Sequence, residues 1–293
     1  MKNLLSVTTS DGLCNCRIKF YPDSDGNWYP VQKMTSEKKI FNPKGYEKHG
    51  YVIPAKTTTQ DTEELFCCSL LQDEVCTDRG RSDRARLRAR SQILDLIRCN
   101  LDFKYFCTLT YDAQRVDRED YNEVVKKFSQ WADNRVRRKD LKYLAVIERH
   151  KESNGLHFHV LCNSVLDFVD SGTVKCPNHK KPIRITTADR YGIPAEDRKI
   201  VYNIVDWSYG FSTAIEITAD PLLEKVGNYL RKYMTKDTDK VGGRWYYSGG
   251  ELLRPRYEYC DDDFYACDTT YEIAVPGNVL RVFMPQNFSE KNF

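Results

Sequence analysis

The sequence lacks any apolar run that approaches the roughly 20 residues of a membrane-spanning helix. Its first residues, MKNLLSVTTSDGLCN, have no apolar core of the kind found in a secretory signal and turn polar after Val7. Internal repeats and low-complexity tracts are also absent. These absences predict a soluble, intracellular protein with no membrane partner.

Extreme composition is absent too. The 293 residues include 45 Lys or Arg and 42 Asp or Glu, a net charge of +3, with 41% hydrophobic and 30% charged residues. These values are typical of globular proteins and exclude disorder for the chain as a whole. The length accommodates one large domain or two modest ones.

The eleven cysteines lack the paired CxxC spacing of a structural zinc site. Their number is odd, and Cys99, Cys107 and Cys162 lie in apolar runs, which favours reduced thiols in the cytosol over a disulfide scaffold. Cys176-x-x-His179 supplies half a zinc site without a matching pair nearby, so we interpret it as an ordinary loop.

Basic residues cluster before residue 100. Six arginines occur within twelve residues, with a single acidic residue, Asp83, among them: Arg79, Arg81, Arg84, Arg86, Arg88 and Arg90. Ser82 or Asp83 is predicted to cap a helix here, with Leu87, Leu94 and Ile97 at helical spacing. Because guanidinium groups pair with phosphates, Arg84, Arg86, Arg88 and Arg90 are predicted to bind DNA, together with Arg244. The aromatic residues 245–247 beside Arg244 would stack bases or fill a hairpin core.

The remaining patterns predict an α+β protein, a mostly antiparallel sheet with helices on one face. Alternating or buried strands are predicted at 16–31 (strand, turn, strand), 102–112, 141–150 and 156–163, and two short strands around Tyr209-Gly210. Helices are predicted at 117–138, with an apolar stripe of Tyr121, Val124, Phe128, Trp131 and Ala132, and at 220–237. The stretch 242–260 is predicted to form a hairpin.

His157 and His159 flank Phe158 in the predicted strand 156–163. Because side chains alternate along a strand, both imidazoles face one side of the sheet and Phe158 faces the core. Two imidazoles side by side are a natural pair of metal ligands.

A carboxylate is predicted to join them. Strands 141–150 and 156–163 are separated by a short turn and should pair antiparallel. In one register Glu148 lies directly opposite His157; a shift by two residues places His150 opposite His157 and Glu148 opposite His159. In both registers Glu148 meets the histidine pair, and His150 is an alternative ligand. Two nitrogens and one oxygen suit a divalent ion with open positions.

Tyr229 and Tyr233 are four residues apart in the predicted helix 220–237, so their hydroxyls project from one face. Lys232 and Lys236 each follow a tyrosine by three residues. The pattern is that of an ordinary amphipathic helix, or of a nucleophile pair whose phenolates the lysines and a bound metal would stabilise.

FCTLTY (106–111), GLHFHVL (155–161) and NYLRKYMTK (228–236) resemble, in this order, the three motifs of HUH-type rolling-circle replication initiators. The tyrosine spacing is similar to that of the two-tyrosine initiators of plasmids and single-stranded DNA phages, including filamentous-phage gene II-like proteins. The resemblance extends over about residues 80–260. It implies an HUH endonuclease fold, with a ferredoxin- or RRM-like sheet whose central strand, 106–111, lies beneath the site.

The resemblance also implies roles. His157, His159 and Glu148 would hold Mg²⁺ or Mn²⁺, and Tyr229 or Tyr233 would attack a phosphate of single-stranded origin DNA. Attack would release a 3′-hydroxyl and leave a 5′-phosphotyrosine, with Lys232 and Lys236 assisting.

The implied organisation is an N-terminal segment (1–80), an endonuclease domain (81–275) and a C-terminal tail (276–293). The implied setting is the cytoplasm of a bacterial host, with host helicase and polymerase as further partners. Three alternatives stay open: a relaxase or single-strand transposase with one active tyrosine, a catalytically inert DNA-binding protein, and a protein structured by zinc.

Overall fold

The computed structural model describes residues 13–41, 79–150, 153–217, 241–261 and 271–283. The strands and helices follow in chain order: β1 (Cys16–Pro22), β2 (Trp28–Ser36), α1 (Arg79–Cys99), β3 (Tyr105–Thr110), α2 (Tyr121–Lys139), β4 (Tyr143–Arg149), β5 (Leu156–Cys162), β6 (Phe168–Lys175), β7 (Ile183–Arg184), α3 (Ile185–Arg190), β8 (Lys199–Ile204), β9 (Ser212–Glu216), β10 (Tyr247–Gly249), β11 (Arg256–Cys260), β12 (Tyr271–Val275) and β13 (Asn278–Phe283).

Two compact units share these elements. The first draws on the described parts of Met1–Cys99 and Leu253–Phe293, and the second is Asn100–Leu252. This division by contacts differs from the predicted boundaries at 81 and 276, which were placed by motif. In particular, the strand β13 occupies part of the predicted C-terminal tail.

The first unit contains a five-stranded antiparallel sheet in the order β11-β1-β2-β13-β12. The predicted strand, turn and strand at its beginning are confirmed as β1 and β2. The turn between them requires Gly26, whose φ of 80° is left-handed. Met34, Leu280 and Val282 are buried in the core of this unit.

The helix α1 begins at Arg79, so the predicted caps Ser82 and Asp83 lie inside it. Among its described side chains, Ala89, Ile93, Leu96 and Ile97 are buried and are spaced as one helical face, and Cys99 at its end is buried as well. Of the predicted apolar positions, Ile97 is buried, whereas Leu87 and Leu94 are half-buried. In the same unit Asp95 pairs with Lys19 of β1 at 2.6 Å.

The second unit contains an eight-stranded antiparallel sheet in the order β10-β4-β5-β3-β9-β8-β6-β7. The predicted strands at 102–112, 141–150 and 156–163 are confirmed as β3, β4 and β5, and those around Tyr209-Gly210 as β8 and β9. The predicted α+β class with antiparallel sheets is therefore confirmed.

One face of this sheet packs against α2. Asp120 caps the helix by accepting a hydrogen bond from the Asn122 N–H, and the helix ends at Asp140 in the left-handed region. The predicted stripe is confirmed: Val124, Phe128, Trp131 and Ala132 are buried and Tyr121 is half-buried. The ring of Phe128 stacks on Phe158 of β5, with centroids 3.9 Å apart.

The predicted hairpin at 242–260 is wrong. Its first strand, β10, pairs with β4 in the second unit, whereas its second strand, β11, pairs with β1 in the first. Turn residues near Gly250 separate the two strands, but local sequence does not reveal that each strand joins a different sheet. Along the described parts of the chain, no helix is both long and apolar enough to cross a bilayer.

Candidate metal centre

The short connection between β4 and β5 sets the register of the site. The His150 N–H donates to the Gly155 carbonyl at 2.9 Å, and Asn154 in the left-handed region (φ 55°) turns the chain. In the resulting pairing Glu148 lies directly opposite His157. This is the first of the two predicted registers.

Successive side chains of β5 point to opposite faces of the sheet, so the core residues and the site residues lie on different faces. Phe158 points to the face covered by α2 and is completely buried. His157 and His159 therefore point to the opposite face, together with Glu148 across the β4–β5 pair. The predicted placement of the histidine pair and the carboxylate on one face is confirmed.

Three ligand atoms converge there. Glu148 Oε2 lies 3.1 Å from His157 Nε2 and 2.8 Å from His159 Nε2, and the two nitrogens are 3.1 Å apart. Ligands at right angles around a cation about 2.1 Å away are themselves about 3.0 Å apart. The three atoms thus already have the spacing of one face of an octahedral coordination sphere, and this donor set fits a divalent ion with open positions.

The carboxylate is held in its charged form. Burial alone would raise the pKa of Glu148, but hydrogen bonds from His157 and His159, and their charges when protonated, outweigh it and hold the pKa well below its ordinary value. An ionised carboxylate is the form that ligates metal. It is therefore available across the neutral pH range.

Thr108, a threonine that the sequence did not identify as part of the site, contacts the His159 ring from the neighbouring strand β3. Thr108 of β3 lies directly opposite His159 on β5, and its Oγ1 is 3.2 Å from His159 Nδ1. When Nε2 binds a metal, Nδ1 carries the proton and donates to this hydroxyl, which fixes the ring. The alternating Thr108 and Thr110 were visible in the sequence, but their register against β5 was not.

The strand β3 is an inner strand of the sheet, as predicted, and it lies beside the site and not beneath it. It lies between β5 and β9 and pairs with both. The ring of Phe106 stacks on that of His159 with centroids 5.7 Å apart. His159 is consequently enclosed on one side by a ring and on another by a hydroxyl, and only 6% of its surface is exposed.

His150, the alternative third ligand, stands outside this group. It is exposed, its ring centroid lies 6.3 Å from that of His157, and its Nδ1 accepts from the Ser153 N–H at 3.3 Å. Among the described residues the cluster of possible ligands consists of Glu148, His157 and His159. The geometry favours Glu148 over His150.

The predicted nucleophiles and their lysines, Tyr229, Lys232, Tyr233 and Lys236, lie outside the described residues. So does the predicted helix 220–237 that carries them.

The predicted DNA-binding arginines are divided between the two units. Arg84, Arg86, Arg88 and Arg90 belong to α1 of the first unit, where Arg88 is exposed and Arg86 and Arg90 are half-buried. Arg86 and Arg88 are two positions apart on the helix and are therefore turned by about 200° from each other, which agrees with their different exposure. Arg244 is exposed in the second unit, with its guanidinium 6.0 Å from the ring centroid of Tyr247.

Cys176 and His179 join no group of possible ligands among the described residues. Cys176 is buried in a small apolar cluster with Val174 and Ala188, and the ring of His179 stacks on Tyr191 with centroids 5.7 Å apart. These packing roles agree with the interpretation of this stretch as an ordinary loop.

The second unit thus presents a two-histidine, one-carboxylate centre on the face of its antiparallel sheet opposite α2. Residues 104–238, a little under half of the chain, match the family of replication-associated proteins that comprises the ORF2 and gene II proteins. This match includes all three members of the centre and supports the predicted resemblance to phage-type, gene II-like replication initiators. No curated protein and no solved structure matches the chain.

Proposed function

We propose that the protein starts rolling-circle replication by nicking single-stranded origin DNA with a tyrosine and later rejoining the strands. The observation that carries the proposal is the convergence of Glu148, His157 and His159 within the segment that matches the replication-associated family. The two-tyrosine HUH mechanism rests on the sequence resemblance. We propose that the activity resides in residues 81–275, in the cytoplasm of a bacterial host, with host helicase and polymerase acting afterwards.

The proposed centre holds Mg²⁺ or Mn²⁺ through His157 Nε2, His159 Nε2 and Glu148. A divalent ion bound there would neutralise the non-bridging oxygens of the scissile phosphate. Thr108 keeps the His159 ring oriented, and the burial of His159 itself limits access of water to that side of the centre. The chain therefore supplies a preorganised position for a phosphate group.

In the proposed reaction the hydroxyl oxygen of Tyr229 or Tyr233 attacks phosphorus. A bond forms between that oxygen and phosphorus, the bond from phosphorus to the 3′-oxygen breaks, and the 3′-oxygen takes up a proton as the tyrosine loses one. The products are a free 3′-hydroxyl and a 5′-phosphotyrosine. Lys232 and Lys236 favour the phenolate by charge. A DNA 3′-hydroxyl reverses the step without outside energy, and a second tyrosine permits a second cleavage before the first is resolved.

The test uses the full chain with single-stranded DNA that carries its own candidate origin, in Mn²⁺, separated on denaturing gels. We expect a protein-linked DNA fragment that disappears with chelator, with His157→Ala and with Tyr229→Phe/Tyr233→Phe together. Tyr191→Phe is the matched control, since Tyr191 is an exposed tyrosine of the second unit far along the sheet order from the centre. It should leave the fragment unchanged.

Other outcomes identify the alternatives. If one single tyrosine variant abolishes all rounds of cleavage and the other has no effect, the enzyme is of the one-tyrosine type. Binding of single-stranded DNA without any covalent fragment, across several candidate origins, would contradict the nicking proposal and identify a DNA-binding protein. Tightly bound zinc in the purified protein would favour the zinc-structured alternative.

A further inference from the structure

Phe211 is the most exposed large apolar side chain of the described residues, with 83% of its surface accessible. It immediately precedes β9, and its carbonyl accepts from the N–H of Thr110 at 2.8 Å. Continuing the β3–β9 register, in which Leu109 opposes Ser212, places Phe211 directly opposite Thr110. Thr110 in turn lies opposite His157.

Phe211 therefore belongs to the same cross-strand row as the candidate metal centre. Directly opposed residues of antiparallel strands share a face, so the row runs Glu148, His157, Thr110, Phe211. Neighbouring strands are about 4.8 Å apart, which places Phe211 about 10 Å from His157 along the sheet. A short stretch of extended single strand spans that separation.

The backbone around Phe211 is held firmly. The hydroxyl of Thr110 donates a second hydrogen bond to the Phe211 carbonyl at 2.9 Å. At Gly210 an added Cβ would lie 2.4 Å from the Thr110 carbonyl oxygen and 2.6 Å from the Asp112 nitrogen, so only glycine permits this approach. The Asp112 N–H also donates to the Tyr209 carbonyl.

The two aromatic residues on either side of Gly210 have different surroundings. Tyr209 packs against the core, with its ring 5.3 Å from that of Trp207 and 6.5 Å from that of Tyr111. Phe211, two residues on, points away from this core. Its exposure is thus combined with a backbone fixed by hydrogen bonds, so the ring is attached at a defined position on the sheet.

We propose that Phe211 is a stacking platform for an unpaired base of single-stranded DNA bound across the candidate metal centre. The inference rests on the proposed function, because that function brings an unpaired strand to this face. Aromatic rings bind unpaired bases of any sequence through their π-faces. A base stacked on Phe211 fixes the position of the phosphates that follow it relative to His157 and Glu148.

The test measures binding of the full chain, in chelator, to two oligomers of equal length. One is a thymidine homopolymer, and the other is the same phosphodiester backbone with abasic residues. Phe211→Ala should raise the Kd for the thymidine oligomer between about 5-fold and about 150-fold, the range for the loss of one base–aromatic stack, and leave the abasic oligomer unaffected. Phe211→Tyr should bind as the wild type does.

Two further variants sharpen the comparison. Phe211→Leu keeps an apolar side chain without a π-face and should lose most of the affinity that alanine loses. Tyr191→Ala removes an exposed aromatic residue elsewhere in the unit (61% accessible) and should bind both oligomers normally. Because the side chain of Phe211 is exposed, all its variants should unfold at the wild-type temperature.

The inference is overturned if Phe211→Ala weakens both oligomers equally, if Phe211→Leu binds like the wild type, or if the wild type binds neither oligomer. Its failure is distinct from failure of the proposed function. If the wild type forms the covalent fragment but Phe211→Ala binds the thymidine oligomer normally, the stacking proposal is wrong and the nicking proposal stands. If binding depends on the bases and on Phe211 but no covalent fragment forms, the stacking proposal stands and the nicking proposal is wrong.

Discussion

Replacing Thr108 by valine removes the hydroxyl that faces His159 and so measures what this hydroxyl contributes to metal binding. Valine has nearly the shape of threonine, so the strand pairing of β3 with β5 should survive, while the 3.2 Å contact to His159 Nδ1 is lost. With only 6% of His159 exposed, water cannot readily take the place of the hydroxyl. A buried donor left without its acceptor costs about 1–3 kcal/mol, or about 5- to 150-fold in an equilibrium constant.

We therefore expect Thr108→Val to raise the Kd for Mn²⁺ by about 10- to 100-fold, the usual effect of removing a partner of a metal-bound histidine. Titration of the full chain with Mn²⁺, followed by electron paramagnetic resonance of the free ion, measures this Kd. Thr108→Ser should restore most of the affinity. Thr110→Val is the matched control, because its hydroxyl donates to the Phe211 carbonyl and not to a histidine. Unchanged Mn²⁺ affinity in Thr108→Val would refute the supporting role of this hydroxyl.

Three further predictions concern the second unit. Phe128→Ala removes a fully buried ring stacked on Phe158 and should lower the free energy of unfolding by about 3–5 kcal/mol in urea titrations; a loss below about 1 kcal/mol would contradict the packing described. Burial raises the pKa of Tyr143 to about 12, so the folded chain keeps a proton that the unfolded chain releases above about pH 10. Stability should fall between about pH 10 and pH 12, and Tyr143→Phe should reduce this fall by on the order of 2 kcal/mol in urea titrations across that range; an equal fall in both proteins would argue against the buried phenol. Gly210→Ala forces the backbone away from Thr110 and should lower both the unfolding temperature and the affinity for thymidine oligomers, whereas retention of both would show that the close approach is not required.

The candidate metal centre was largely predictable because its determinants are local. A short turn region joins β4 and β5, so Glu148 could meet His157 and His159 in only two registers, and both brought the carboxylate to the nitrogens. Alternation then placed Phe158 in the core. Period-two patterns and a short connection are strong constraints on side-chain placement.

The features that escaped prediction depend on pairings between distant segments. Thr108 and Phe211 gain their significance from the pairing of β3 with β5 and β9, which are about 50 and 100 residues along the chain from β3. The strands β10 and β11 look like a local hairpin but join different sheets.

The order in which the two units can form follows from how the chain is divided between them. Every strand of the eight-stranded sheet lies within Asn100–Leu252, whereas the first sheet must bring β13 beside β2, although about 240 residues separate them in the chain. During synthesis every residue of the second unit is added to the chain before the residues of β11, β12 and β13. We expect the second unit to fold first because its strands pair within one continuous segment, whereas β1 and β2 lack their partners β11 and β13 until those strands have been made. Protease digestion of ribosome-bound chains that end at residue 252 and carry a C-terminal linker long enough to clear the exit tunnel should find the histidine centre protected while the N-terminal strands are still cut.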